Sequence, residues 1–391
     1  MTCTVQKFGG TTVATLERIK HAADIVARSR RNGNDVIAVV SAMAGVTNKF
    51  VGYVRNLNAC EGDPEYDGVV SSGELITAGL MAIALKNLGL KARSYASWQV
   101  PIFTDECHGH AVIREIDPRS IKKDVKNGVI PVICGFQGVS PSNRITTLGR
   151  GGSDLTAVAV AAAVSADLCE IYSDVDGVYT VDPNLYPAAR KICAVNYDEM
   201  LEMASRGAKI LQEQSVDYAM KHKVVIRVAS SFIDNGGTLI AENVPPVNFR
   251  GLAVTPGLLH VRVSHEGPPD RIIDLLEKNF IRAEMLKGDD DGKLDLLADK
   301  KKGAVVLSIL KNCEDVRSVK QIVVRRPYSR ISVVGTFASA ETAEVPANIL
   351  REKKTEALTT SSSNRRASLI VPSDKLQESI ALLHKYCGLE K

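Results

Sequence analysis

Residues 145–183, ITTLGRGGSDLTAVAVAAAVSADLCEIYSDVDGVYTVDP, join two loops through a helix and a strand. The first loop, Leu148-Gly149-Arg150-Gly151-Gly152-Ser153-Asp154, runs straight into the Ala-rich segment Leu155–Val164, so its free amides and the positive end of the helix dipole point the same way. This makes an anion site. The guanidinium of Arg150, flexible glycine amides and a capping hydroxyl on Ser153 converge at that helix start, and each charge-assisted hydrogen bond there is worth roughly 1.5–3 kcal/mol. The second loop, Ser173-Asp174-Val175-Asp176-Gly177-Val178-Tyr179, follows the short apolar strand Leu168–Tyr172, at the strand end where open α/β sheets place ligands. It offers carboxylates, which suit a metal-bound nucleotide, although Asp-Gly and the later Asp182-Pro183 are also common turn formers.

Working outward, Thr4–Phe8 reads as a buried strand ending in Gly9-Gly10, followed by helical apolar spacing at Leu16, Ile19, Ala23 and Val26. The pattern repeats with the apolar strand Asp35–Val40, the small-residue loop Ser41-Ala42-Met43-Ala44-Gly45-Val46-Thr47-Asn48 and a second helical segment. Ser71-Ser72-Gly73-Glu74 matches a capping box opening a helix over Leu75–Leu88, which gives Glu74 a purely structural reading. Strands at Lys91–Tyr95, Val129–Cys134 and Val224–Val228 alternate with helices at Asp117-Pro118, Tyr197–Ala204 and Ile210–Lys221. Such alternation predicts a three-layer α/β fold with a mainly parallel central sheet.

The paired prolines in Asn243-Val244-Pro245-Pro246-Val247 mark a linker, so the expected domains are residues 1–243 and 250–391. Beyond it the pattern changes to strands at Leu258–Val263, Ala283–Lys287, Leu294–Leu297 and Val305–Leu310 with helices at Arg271–Lys278 and Glu314–Lys320. A second round has strands at Ile331–Val334, Glu356–Thr360 and Ala367–Val371 and helices at Ala343–Glu352 and Lys375–Tyr386. Two α+β ferredoxin-like βαββαβ units result.

A net charge of +4 from 49 basic and 45 acidic residues, spread along the chain, argues against nucleic-acid or membrane binding. The eight cysteines lack zinc-ligand spacing and fit free thiols in a reducing compartment. Without an apolar signal region at the N-terminus, and with Ala157–Val164 as the most apolar run, a cytoplasmic location is expected. The histidines form no triad or metal spacing, which leaves hydrolase chemistry without support and the metal ligands unassigned. Lys7-Phe8-Gly9-Gly10 sits where a strand meets a helix, so Lys7 can reach phosphate oxygens while the glycines let backbone approach them; a simple tight turn is the competing reading. The spacing is neither that of a Walker loop nor of a dinucleotide fingerprint.

Taken together, Lys7-Phe8-Gly9-Gly10, the Ser41–Asn48 loop, Ser72-Gly73-Glu74, Gly149–Asp154 and Tyr179-Thr180-Val181-Asp182-Pro183 closely resemble the aspartokinases in order and spacing over about Met1–Ile240. The C-terminal part is similar to a divergent pair of the ACT regulatory domains those enzymes carry. The resemblance implies an amino acid kinase fold that moves the γ-phosphoryl group of ATP, with Mg2+, to the side-chain carboxylate of L-aspartate. The product is 4-phospho-L-aspartate, on the way to lysine, diaminopimelate, threonine and methionine. It implies that Lys7 contacts the transferring phosphate with Asp154 in the same catalytic group, and that Gly9, Gly10 and Ser41 line the phosphate path. Thr47, Glu74, Arg150, Gly151 and Ser153 would hold the aspartate. Ser173, Asp174, Tyr179, Asp182 and Lys209 would lie on the nucleotide side, and a homodimer or larger homo-oligomer would form through the ACT region.

The chain departs from the family pattern at Val181 for threonine, at Asn184 and Gln214 for arginines, and at Glu266-Gly267-Pro268-Pro269-Asp270 for an Arg-Pro-Gly turn. The first three predict weakened nucleotide affinity. Two alternatives stay open at this point. One is a kinase of the same fold acting on glutamate, N-acetylglutamate, carbamate or UMP; the other is a catalytically weak amino-acid-binding regulator.

Overall fold

The structure, a computed structural model, describes residues 2–60, 62–208, 210–233, 235–265, 270–279, 281, 283–285, 293–312, 319–324, 327–355 and 357–390. The chain divides into two units, one of Met1–Val178, Lys191–Ser205 and Lys209–Pro245, the other of Tyr179–Arg190, Arg206–Ala208 and Pro246–Lys391. Two short segments N-terminal to the double proline thus group with the C-terminal unit.

In the first unit, continuous apolar strands are buried on both faces, as parallel strands between helix layers must be. Cys3–Phe8, Asp35–Val40 and Ile130–Cys134 each keep at least five buried residues. They belong to an eight-stranded sheet in the order Ala194–Val195, Thr238–Ile240, Ile226–Ser230, Leu168–Ser173, Cys3–Phe8, Asp35–Val40, Ile130–Cys134, Ala92–Tyr95. Only the pair Ile226–Ser230 and Thr238–Ile240 is antiparallel. This is the mainly parallel α/β sheet expected. Helix Leu16–Arg31 begins where Thr15 accepts the Arg18 amide, with Glu17 in its first turn and Arg28, Arg30 and Arg31 in its last. Both ends therefore suit the helix dipole. Its inward residues Ile19, Ala22, Ala23 and Val26 join Phe8, Val36, Val40, Met81 and Leu85 in one core.

Three features of this unit differ from the sequence reading. A four-stranded sheet of Ile113–Ile116, Ile102–Thr104, Gln137–Val139 and Ile145–Thr147 stands where the sequence reading assigns no strand, its strands being too short for a periodic signal. The helix Ser72–Asn87 starts without a side-chain cap from Ser71, so the capping box does not form. Finally, Pro64–Asn87 is a helical run of 24 residues, with mean hydropathy 1.6 over an 18-residue window, long and apolar enough to cross a membrane, and so exceeds Ala157–Val164. It carries the buried Asp67 and Glu74 and packs Met81 and Leu85 into the core, which is how an interior helix is built.

The C-terminal unit is a seven-stranded antiparallel sheet. Its long strand Gly251–His265 is shared along its length: the first half pairs with Tyr328–Val334, the second with Lys293–Asp299 and Val319–Val324, and the register shifts between Thr255 and Leu258. Val305–Leu310, read from sequence as a strand, lies in the helix Gly303–Asn312; of the expected helix Glu314–Lys320, residues 314–318 lie outside the described set, and Val319 and Lys320 begin the strand Val319–Val324. A short run of valine and leucine fits either state; here Val306 and Leu310, one turn apart, both enter the core.

Candidate active site

The site is built at the carboxyl ends of adjacent strands. Gly9 donates its amide to Tyr172 O (3.0 Å), Ser41 to Phe8 O (3.1 Å), Ala44 to Gly10 O (3.1 Å) and Gly135 to Val40 O (2.9 Å). These bonds lace four loops into one floor. A Cβ at Gly10 would lie 3.0 Å from Ala42 O, so the close approach of the Gly10 and Ser41 loops leaves little room for a side chain. Above this floor opens a cleft of about 970 Å³.

Of the residues expected to act, Lys7, Gly10, Ser41, Thr47, Glu74, Arg150, Gly151, Ser153 and Asp154 line that cleft together. Lys7 is only 7% exposed, and its Nζ sits 2.5 Å from Asp154 Oδ1. Glu74 is 3% exposed, and its Oε2 has no hydrogen-bond partner among the described residues. Burial pushes its carboxyl up to about 7, against hydrogen bonds from the Ala42 and Glu74 backbone amides that pull it down. The Arg150 loop enters the helix Gly152–Val164 through Gly151, whose φ of 71° makes it the cap. Ser153 is therefore not the capping residue. It lies in the first turn against Gly135, where an added Cβ would come 2.6 Å from Ser153 Oγ.

Gly9 forms the floor beside Lys7 Nζ, 3.3 Å from the position of an added Cβ. Ser173 ends the strand Leu168–Ser173, next to Cys3–Phe8, with Asp174 following it and Ser173 Oγ accepting the Val175 amide. Tyr179 and Asp182 belong to the segment that groups with the C-terminal unit. There Asp182 accepts from the Asn184 amide and Nδ2, and Val181 is buried among Leu252, Val333, Leu369 and Leu383. Lys209 lies outside the described residues.

Sequence reasoning missed several lining residues: Asn48, Tyr66, His110 and Gln212. His110 was set aside because it has no nucleophile or metal partner in sequence; its role in the lining comes from the small sheet, which had no sequence signal. Among the described residues no group of three His, Cys, Asp or Glu side chains could hold a metal ion.

The sequence profile of the amino acid kinase family matches residues 2–230. An aspartate kinase of Pseudomonas putida is 35% identical across all of this chain and 98% of its own length. An aspartokinase of Rickettsia felis is 48% identical over 246 residues, covering 62% of this chain, and the chain spans 61% of that relative. In three dimensions, E. coli aspartokinase III in complex with lysine and aspartate superposes with a TM-score of 0.81 at 23% identity, over 98% of this chain and 99% of that one. The chain therefore belongs to the amino acid kinase family and, within it, to the aspartokinases.

Proposed function

We propose that the cleft binds L-aspartate beside ATP and transfers the γ-phosphoryl group to the aspartate side chain, giving 4-phospho-L-aspartate. The observation that carries this is the convergence of a buried acid, Glu74, with two cations, Arg150 and Lys7, in one cleft. An amino acid presents an ammonium and carboxylates, and these are the complementary charges. Glu74 takes the ammonium, Arg150 a carboxylate through charge-assisted bonds, and Thr47, Gly151 and Ser153 fill in neutral donors. The nucleophilic carboxylate, with a pKa near ~4, is already ionised at neutral pH, so no general base is required. Lys7 neutralises charge as the phosphoryl group moves, and Asp154 holds Lys7 for that task.

The nucleotide's phosphates fit the glycine floor, where Gly9 and Gly10 put no side chain beside Lys7 Nζ. Gly9, Gly10 and Ser41 would hold them, with Ser173 and Asp174 at the neighbouring strand end. For Tyr179, Asp182 and Lys209 the support is the sequence pattern. Magnesium, which keeps waters and substrate phosphates as ligands more readily than an all-protein cage, would arrive with the nucleotide and shield its charge. The C-terminal unit we assign as two ACT-like units sharing one long strand, through which a homodimer or larger homo-oligomer forms.

ATP-dependent formation of aspartyl hydroxamate by the purified protein with magnesium tests the reading, and a panel with glutamate, N-acetylglutamate, carbamate and UMP tests the substrate. Absence of hydroxamate with aspartate overturns it.

A further inference from the structure

Asp67 is fully buried, yet no bond in the proposed chemistry uses it. Its carboxylate gathers two loops. Thr147 donates its amide (3.0 Å) and its hydroxyl (2.5 Å), Gly109 donates its amide (3.0 and 3.1 Å to the two oxygens), and His108 Nδ1 lies 2.8 Å away. Asp67 belongs to the same helical run as Glu74. Thr147 stands three positions before Arg150, and Gly149 between them lies so close to residues 109–110 that an added Cβ would meet the His110 ring at Nδ1 (2.8 Å) and Gly109 O (3.3 Å). A second tie runs alongside: Gln137, the cross-strand partner of Thr147, donates its Nε2 to Ser71 O at 2.6 Å.

We propose that Asp67 is a positioning residue that sets the separation between Glu74 and Arg150, and so the length of amino acid the cleft accepts. The inference rests on the aspartate reading above. A carboxylate accepts from every one of these donors at once; an amide in its place turns an N–H towards Thr147 or Gly109 and pushes one loop away. Glu74 stays on its helix while Arg150 follows the loop, so the loss falls on the amino acid. A merely stabilising carboxylate does something else. Asp124, 4% exposed and bonded to Tyr95 Oη (2.7 Å) and Arg93 Nη1 (3.2 Å), supplies that comparison away from the cleft.

The test compares Asp67→Asn, Thr147→Val and Asp124→Asn with wild type in steady-state ATP turnover on aspartate and glutamate, beside thermal melts. For Asp67→Asn the aspartate KM is expected to rise on the order of 10-fold, with the ATP KM and kcat within about 3-fold, because roughly one buried charge-assisted bond is lost. The glutamate-to-aspartate ratio of kcat/KM rises with it. Thr147→Val, which removes only the 2.5 Å bond, shifts aspartate KM the same way by less and serves if Asp67→Asn does not fold. An aspartate KM unchanged in both variants, or a fall in melting temperature matched by Asp124→Asn with no KM split, overturns the inference. Wild-type enzyme without aspartate-dependent turnover overturns the proposed function itself, and this inference with it.

Discussion

Lys7 Nζ lies 2.5 Å from Asp154 Oδ1, which joins the strand Cys3–Phe8 to the first turn of the helix Gly152–Val164. Neither residue can be placed in the cleft by local structure alone. Lys7 reaches it because its strand ends in glycines, and Asp154 because the helix starts at a positive-φ glycine beneath the Arg150 loop. The pair is a cation already oriented before any phosphate arrives, which is where electrostatic catalysis gains its advantage over water.

Replacing Lys7 with methionine keeps length and removes charge. The expected result is a fall in kcat on the order of 10²–10³-fold, the usual loss when one preorganised electrostatic stabiliser is removed, with little change in aspartate KM. Coupled detection of ADP release measures both. A kcat within tenfold of wild type removes Lys7 from the transfer step.

Glu74 carries a pH dependence of definite sign. Its carboxyl titrates near 7 in the folded chain and about 4.5 as an ordinary glutamate. Between those values the folded state binds more protons than the unfolded one, so the contribution to stability is complete below the lower value and is lost as pH rises to the upper one. Thermal melts should therefore show Glu74→Gln gaining on wild type from about pH 5 to pH 8. Aspartate binding, which needs the ionised acid for the ammonium, should strengthen over the same range in wild type and stay flat and weak in Glu74→Gln. Parallel pH profiles for the two proteins in both assays would contradict the assignment.

The strands and the glycine-rich loops of the first unit were legible because their signals are local: continuous apolar runs and small residues at strand ends. The errors arose where a distant partner outbid a local rule. Ser71 and Glu74 have capping-box spacing, but Glu74 turns to the Ala42 amide in the cleft floor, and Ser71 Oγ is left buried without a bond among the described residues. Ser153 looks like a cap, yet packing against Gly135 places it inside the helix. In the C-terminal unit, Val305–Leu310 is too short to reveal its period, and only the core contributed by Val261, Val263 and Leu296 selects a helix there. Asp67 has no sequence signal, since its partners are 41 and 80 residues away.

Val181 departs from the family's threonine, and its burial at 1% exposure among leucines and valines gives the departure a packing explanation. Val181→Thr places a hydroxyl in that core and should cost about 1–3 kcal/mol, seen as a lower melting temperature. The ATP KM should stay within about twofold, because the interaction changed is one of packing. A tighter ATP KM with unchanged melting would return Val181 to the nucleotide site.

His384 anchors the same segment: its Nε2 lies 2.9 Å from Thr180 Oγ1 and its ring 5.0 Å from that of Tyr186, while Thr180 also accepts the Arg190 amide (2.9 Å). Burial chiefly holds the imidazole below its ordinary value of 6.5, with Glu390 opposing and Arg190 adding to the effect. As pH falls through 6.5 the unfolded chain takes up the proton first, so the stability His384 contributes is present above 6.5 and is lost as pH drops through the lower folded value. Melts from pH 7.5 to 5 should show wild type losing more than His384→Gln, which has no proton to gain. Amide exchange over 179–190 should quicken on acidification in wild type and hold steady in the variant. Equal losses in both proteins would mean that the anchor does not titrate.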